Sequence, residues 1–206
     1  MVLGEPNRTM KAAAQLSIGK RVTDMKITLL LVLLAVFGCV RIPDGVTAVK
    51  GFDVQRYLGT WYEIARLDHS FERGLVNVTA TYSMNRDGSL RVVNRGFDPK
   101  LGQWKEAVGK AHFVSGADEG RLKVSFFGPF YGGYNIIGID EINYSYVLIC
   151  GNSRDYLWIL ARQPQLPDTV TESLVQQAKR LGFPTSALLF VQQKNTVGRD
   201  HPGDDL

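Results

Sequence analysis

The sequence predicts an all-β fold, an eight-stranded up-and-down antiparallel β-barrel with one C-terminal α-helix packed outside. Two observations predict it. Eight short runs rich in β-branched and aromatic residues follow one another from Thr60 onward, and Asn, Asp, Gly or Pro suited to hairpin turns separate them. A single helical pattern follows the last run. Strands joined in series by short loops leave exposed edges, and closure into a barrel removes them.

The runs are 60–67 (TWYEIARL), 75–84 (LVNVTATYSM), 89–96 (SLRVVNRG), 103–114 (QWKEAVGKAHFV), 121–127 (RLKVSFF), 134–140 (YNIIGID), 143–150 (NYSYVLIC) and 156–162 (YLWILAR). The breakers are Asn85-Arg86-Asp87-Gly88, Asp98-Pro99, Gly116-Ala117-Asp118, Gly132-Gly133, Asp140-Glu141 and Gly151-Asn152. For the helix, Pro167-Asp168-Thr169 is a start signal, and Thr169 and Glu172 have capping-box spacing. Leu174, Val175, Ala178 and Leu181 form its apolar face, Lys179 and Arg180 suit its C-terminal dipole, and Gly182 stops it. Residues 187–192 (ALLFVQ) offer a last short strand, and the tail 194–206 is polar. A barrel of eight strands is just wide enough for packed side chains or one small ligand.

The 206 residues are enough for one domain plus appendages. The formal charge of +4 is mostly an N-terminal property. Residues 1–38 carry five basic against two acidic side chains, and without them 19 basic face 18 acidic ones. The balance gives no support for nucleic-acid binding by the folded part.

The N-terminus reads as an address. Lys20, Arg21 and Lys26 precede the apolar run Ile27 to Phe37, and Gly38-Cys39 follows. Eleven residues are too short to span a bilayer as a helix but suit a signal-peptide core. Val36-Phe37-Gly38-Cys39 resembles the lipobox of bacterial lipoproteins, with Phe37 bulkier than the usual small residue. Residues 1–38 are therefore expected to be a signal peptide, Cys39 the lipidated first residue, and 39–50 a tether between lipid and fold. Met25-Lys26 would itself make a compact start of such a signal. Val40 is not Asp, which in enteric-type bacteria implies sorting to the outer membrane.

The same residues carry no catalytic or metal-binding pattern. His69, His112 and His201 lie far apart without metal-ligand spacing, and two cysteines are too few for a Cys-based zinc site. No Gly-x-Ser-x-Gly elbow, phosphate-cradling loop or haem-attachment motif occurs. The sequence predicts no cofactor and no metal. Cys150, at the end of a strand, reads as a small buried hydrophobe.

Gly59-Thr60-Trp61 at the start of the first strand resembles the Gly-x-Trp signature of the lipocalins. Tyr156 to Arg162 resembles the last barrel strand of that family, in which an arginine packs across the signature tryptophan. Ile139-Asp140-Glu141 leading to Tyr144 matches its Thr-Asp-Tyr element loosely. The run Lys123 to Tyr134 (KVSFFGPFYGGY) is similar to the bacterial lipocalins, outer-membrane lipoproteins related to apolipoprotein D. The resemblance covers residues 51–193. It implies a barrel closed at one end by Trp61 and Arg162, and the binding and carriage of a lysophospholipid or fatty acid, without chemistry. It also implies attachment to the membrane through a lipid. A homodimer is compatible with it, and no interface can be read from one sequence.

With Arg162 and Trp61 inside the closed end, alternation along each strand assigns the faces. Trp158 and Leu160 then point inward, as do Glu63, Ala65 and Leu67. Tyr82 shares a face with Val78, Asn94 with Val92, and Val124 with Phe126. Trp158, Leu160, Tyr82 and Asn94 also match pocket positions of the apolipoprotein D relatives. Phe130, Tyr131 and Tyr134, in the Gly-Pro-rich segment, are expected at the mouth. The expected ligand contacts are thus Ala65, Tyr82, Asn94, Phe126, Phe130, Tyr134, Trp158 and Leu160.

A carboxylate at Glu63 inside an apolar barrel needs a partner, near Arg162 or from the backbone. Lys123, Arg121 and Arg91 are candidate partners for a lipid headgroup. Three readings stand at this point: a lipid-binding lipoprotein, an enzyme of the same fold using Glu63 on a lipid or isoprenoid, and a structural lipoprotein with a filled barrel.

Overall fold

The computed structural model describes residues 40–193. The expected signal peptide (1–38), the lipidation residue Cys39 and the polar tail (194–206) lie outside the described residues. A one-turn helix α1 (Val54–Tyr57) precedes eight barrel strands: β1 (Gly59–Leu67), β2 (Val76–Met84), β3 (Leu90–Asp98), β4 (Gln103–Phe113), β5 (Arg121–Phe127), β6 (Phe130–Ile139), β7 (Tyr146–Cys150) and β8 (Leu157–Ala161). Helix α2 (Asp168–Arg180), a 3-10 turn (Thr185–Ala187) and β9 (Leu188–Phe190) follow.

Each strand pairs antiparallel with the next, and β1 pairs with both β8 and β2, so the sheet closes. The β1–β2 pairing covers only Gly59–Tyr62. Beyond it β2 departs, and β9 takes its place against Ala65–Leu67. Gln193 spans the seam, its Nε2 donating to Glu63 O at 2.8 Å and Val78 O at 2.9 Å. On the opposite side β4 from Gln103 to Gly109 pairs with β3 alone, because its pairing with β5 starts at Lys110. The barrel therefore flares at the end that holds the β1–β2, β3–β4, β5–β6 and β7–β8 connections.

Two apolar cores result. One fills the closed half of the barrel with Tyr57, Trp61, Leu90, Leu122, Ile136 and Ile149. The other lies outside, where Leu174 and Ala178 of α2 and Phe183 pack on Ile64, Leu148 and Ile159. Burying Leu174 there contributes roughly 1.5–3 kcal/mol. Because β7 and β8 are covered on both faces, they read as unbroken apolar runs. Gly182, at φ +81°, ends α2 in the left-handed region that a side chain resists.

Three sequence expectations are corrected. The capping box at Thr169 and Glu172 does not form: Pro167 precedes the first turn, and no side chain caps it. Gly132-Gly133 is not a turn but the interior of β6; the hairpin turns at Gly128-Pro129, between paired Phe127 and Phe130. Residues 41–50, expected as a tether, are part of the folded body. Val46 and Ala48 are buried, Val49 N–H donates to Ile136 O at 2.9 Å, and Lys50 bridges to Glu119. Pro43 and Gly45 exclude regular structure there, but Val46, Ala48 and Val49 still have apolar surface to bury.

Candidate ligand cavity

The closed end is built on Trp61. Its indole Nε1 donates to Tyr57 O at 2.8 Å, and the Arg162 guanidinium stacks 3.8 Å from its ring centroid. Arg162 also donates to Arg56 O at 2.6 Å, Leu58 O at 2.9 Å and Thr60 O at 2.9 Å. It thereby satisfies carbonyls at the C-terminus of α1 that no helical N–H can reach. The glycine of the signature has a local reason: Gly59 sits at φ +93°, and a Cβ there would lie 3.4 Å from Arg162 Nη1. Asp53 caps α1 by accepting from Gln55 N at 2.9 Å. A one-turn helix has too short a period to be seen in sequence.

Above this plug lies a cavity of ≈ 90 Å³. That is room for roughly six to nine water-sized groups. Its floor is a chain of three tyrosine hydroxyls, with Tyr134 Oη 2.5 Å from Tyr57 Oη and 2.7 Å from Tyr82 Oη. Burial pushes the Tyr82 hydroxyl up to about 12, and Tyr57 and Tyr134 are raised as well, so the floor is neutral. The wall is aliphatic, with Val78, Val92, Leu122, Val124 and Leu160 on the cavity.

Towards the mouth the lining turns polar. Glu63 Oε1 accepts from Arg66 Nη1 at 2.5 Å, and both side chains are buried. Arg66 Nη2 donates to Glu72 O at 2.8 Å, and Glu72 Oε2 accepts from Trp158 Nε1 at 3.2 Å. Desolvation raises both carboxyls above the usual range, and each lies within the field of the other; Arg66 offsets only part of this. One guanidinium between two buried carboxyls thus favours a proton held by the pair. The His69 ring, 3.4 Å from Glu72 Oε2, is depressed to about 4, first by burial and then by Arg66. Asn94 Oδ1 is a buried acceptor with no partner, and Asn94 lines the same cavity.

Six of the eight expected contacts lie on the cavity: Tyr82, Asn94, Phe126, Tyr134, Trp158 and Leu160. Tyr134 is at the floor rather than at the mouth. Ala65 does not reach the cavity. The β1–β8 register shifts between Glu63 and Ala65, so one extra residue, Ile64, reverses the alternation. Ala65 and Leu67 then face the outer core under α2, and Arg66 turns inward opposite Trp158. Phe130 also lies off the cavity, exposed at the tip of the β5–β6 hairpin.

The expected partner of Glu63 is corrected from Arg162 to Arg66. Lys123 lies outside, 4.9 Å from the Tyr131 ring centroid. The sequence reading missed Tyr57, Arg66, Phe71 and Glu72 as cavity or mouth residues. One signal was available for Arg66: Glu63 and Arg66 are the only charges in an otherwise apolar strand, and they can share a face only through a bulge. Cys150 is buried in the outer core, and burial pushes its thiol up to about 12.

The model of a lipocalin-like domain matches residues 52–193. The chain is 55% identical over 151 residues to the outer membrane lipoprotein Blc of Escherichia coli strain K12, covering 73% of this chain and 85% of that protein. It is 49% identical over 157 residues to the outer membrane lipoprotein Blc of Vibrio cholerae, covering 76% and 92%. Among solved structures, insecticyanin from the tobacco hornworm superposes with a TM-score of 0.60 at 18% identity, over 75% of this chain and 88% of that one.

Proposed function

Given that the chain belongs to the lipocalin family, we propose that it is an outer-membrane lipoprotein. It binds and carries one single-chain amphiphile, a lysophospholipid or a fatty acid, in the barrel. The cavity carries this reading: an aliphatic wall closed below by neutral hydroxyls, with Glu63 and Glu72 on the lining near the mouth and Arg66 bonded to Glu63. The aliphatic wall of Val78, Val92, Leu122, Val124 and Leu160 suits an acyl chain. The names of the Escherichia coli and Vibrio cholerae relatives, with the lipobox ending at Cys39, support the anchor and the membrane. No catalytic step is assigned. Glu63 and Glu72 are engaged with Arg66 and Trp158, and the Cys150 thiol lies outside the barrel.

Native mass spectrometry of residues 40–206, mixed with a lysophospholipid, a fatty acid and a diacyl phospholipid, tests the carrier. One-to-one adducts with the single-chain lipids are expected, abolished by Ala80→Phe, which fills the cavity. No adduct with any lipid would favour a filled structural barrel, and a chemically altered lipid would favour an enzyme. The mass of the mature N-terminal peptide, with and without Cys39→Ser, tests the anchor.

A further inference from the structure

Four connections meet at the open end: β1–β2, β3–β4, β5–β6 and β7–β8. Three of them carry large apolar side chains in water. Phe127 and Phe130, flanking the β5–β6 turn, are 81% and 76% exposed, while Phe71 on the β1–β2 loop and Leu101 on the β3–β4 turn are each 61% exposed. At the closed end, among the described residues, Ile142 alone exceeds these at 82%. Isolated exposed apolar residues are ordinary, but several converging on one rim mark an interaction surface.

Both ends carry charges of both signs. The closed-end loops carry Asp87, Asp118, Glu119, Asp140 and Glu141 against Arg86. The open-end loops carry Arg73, Lys100 and Arg154 against exposed Asp68 and Asp155, with Arg73 paired to Asp68 at 2.8 Å. Lys50, Lys110, Arg56 and Arg162 stand beside the closed-end carboxylates, the first two in ion pairs with Glu119 and Asp87, so apolar exposure rather than net charge distinguishes the open rim.

The chain also enters beside the open end. Arg41 O lies 3.2 Å from where a Cβ on Gly133 would stand, three residues along β6 from Phe130. Arg154, in the β7–β8 connection, donates to Asp44 O at 2.7 Å. Cys39 is two residues before Arg41, a reach of at most about 7 Å.

We propose that the open rim is the surface this protein lays on the lipid bilayer, with Phe127, Phe130, Leu101 and Phe71 entering the interface and the closed end pointing away. The proposal rests on the lipoprotein reading for its anchor. Arg41 lies beside β6 near the rim, so an acyl chain on a residue two positions earlier would let the anchor and the apolar tips reach the membrane together. A lipid chain then passes between bilayer and cavity without crossing water, which is unfavourable for apolar surface. The near-neutral rim makes the contact one of apolar insertion rather than charge attraction.

The test uses the full lipidated chain in vesicles of phosphatidylethanolamine and phosphatidylglycerol. Phe127→Cys, Leu101→Cys and Ile142→Cys each carry an environment-sensitive dye, while buried Cys150 stays unlabelled. Lipid-borne spin labels should quench the dye at 127 and 101 but not at 142, and high salt should leave the quenching unchanged. Quenching at 142 alone, or at all three positions equally, overturns the proposal. So does a dye at 127 that is shielded from water but unquenched, because that marks rim-to-rim pairing of two copies. In the same vesicles Phe127→Ser with Leu101→Ser should slow lipid uptake several-fold and leave the affinity for monomeric lipid unchanged. The mass of the N-terminal peptide is read separately, so an absent anchor is distinguished from a wrong orientation.

Discussion

Glu63 and Arg66 face each other inside the barrel, although they are three residues apart on one strand and strict alternation would put them on opposite faces. The bulge at Ile64 brings them together. It also sends Ala65 outward to α2, so one inserted residue both seals the outer core and places a buried cation on Glu63, which lines the cavity.

Arg66→Met should be among the most destabilising single changes in the mouth. It leaves Glu63 buried without its cation, which costs about 3–5 kcal/mol. The double variant Glu63→Gln with Arg66→Met removes both charges and should recover much of that loss. Urea denaturation of the three proteins measures it. A double variant as unstable as Arg66→Met alone would mean that the pair matters for its shape and not for its charge.

The mouth also makes stability depend on pH, with two opposed contributions. Glu63 and Glu72 are raised by burial, so the fold keeps protons that the unfolded chain releases near about 4.3, and stability falls as pH rises above that value. His69 is depressed to about 4. Between there and its unfolded value of about 6.5 the unfolded chain binds the extra proton, so its contribution rises with pH. His69→Gln should therefore expose the falling slope between about pH 4.5 and 6.5, and Glu72→Gln should flatten it. Urea midpoints across about pH 4.5–8 decide; curves parallel to the unsubstituted protein's would sink the assignment.

The barrel was legible in the sequence because its strands are short, alternating and punctuated by Gly, Asn and Asp. The Trp61–Arg162 contact was legible through the resemblance of the two motifs to those of the lipocalins, in which an arginine packs across the signature tryptophan. Ala65 and Phe130 were misplaced for different physical reasons. A bulge is a choice of register between two backbones, and nothing in Ile64 itself announces it. The Gly132-Gly133 pair looked like a turn, but the chain turns at Gly128-Pro129, which moves Phe130 to the tip. Glu72 was invisible because its position depends on how the β1–β2 loop folds over the mouth.

Arg162→Lys should test the closed end without touching the cavity. A lysine keeps the charge over Trp61 but lacks the planar fork that reaches Arg56 O, Leu58 O and Thr60 O together. The site is partly exposed, so a loss of about 1–2 kcal/mol is expected. Lipid affinity should be unchanged, because Trp61 and Tyr57 stand between Arg162 and the ligand space. A weakened affinity at unchanged stability, seen by titration, would place Arg162 in ligand recognition instead.

The tyrosine floor makes a prediction of order. Tyr134 Oη is the middle member, in contact with both Tyr57 and Tyr82, while Tyr82 is a terminal one. A hydroxyl has one proton to give and can accept besides, so the middle hydroxyl holds two hydrogen bonds together. Tyr134→Phe removes both and leaves two buried hydroxyls short of a partner, at a cost of about 1–3 kcal/mol. Tyr82→Phe removes one bond and leaves Tyr57 and Tyr134 paired, so it should cost less. The three hydroxyls stay neutral up to about pH 12 for Tyr82, so the difference should hold across the neutral range. Equilibrium unfolding of the two variants gives the order, and a costlier Tyr82→Phe would mean that the floor is not a chain centred on Tyr134.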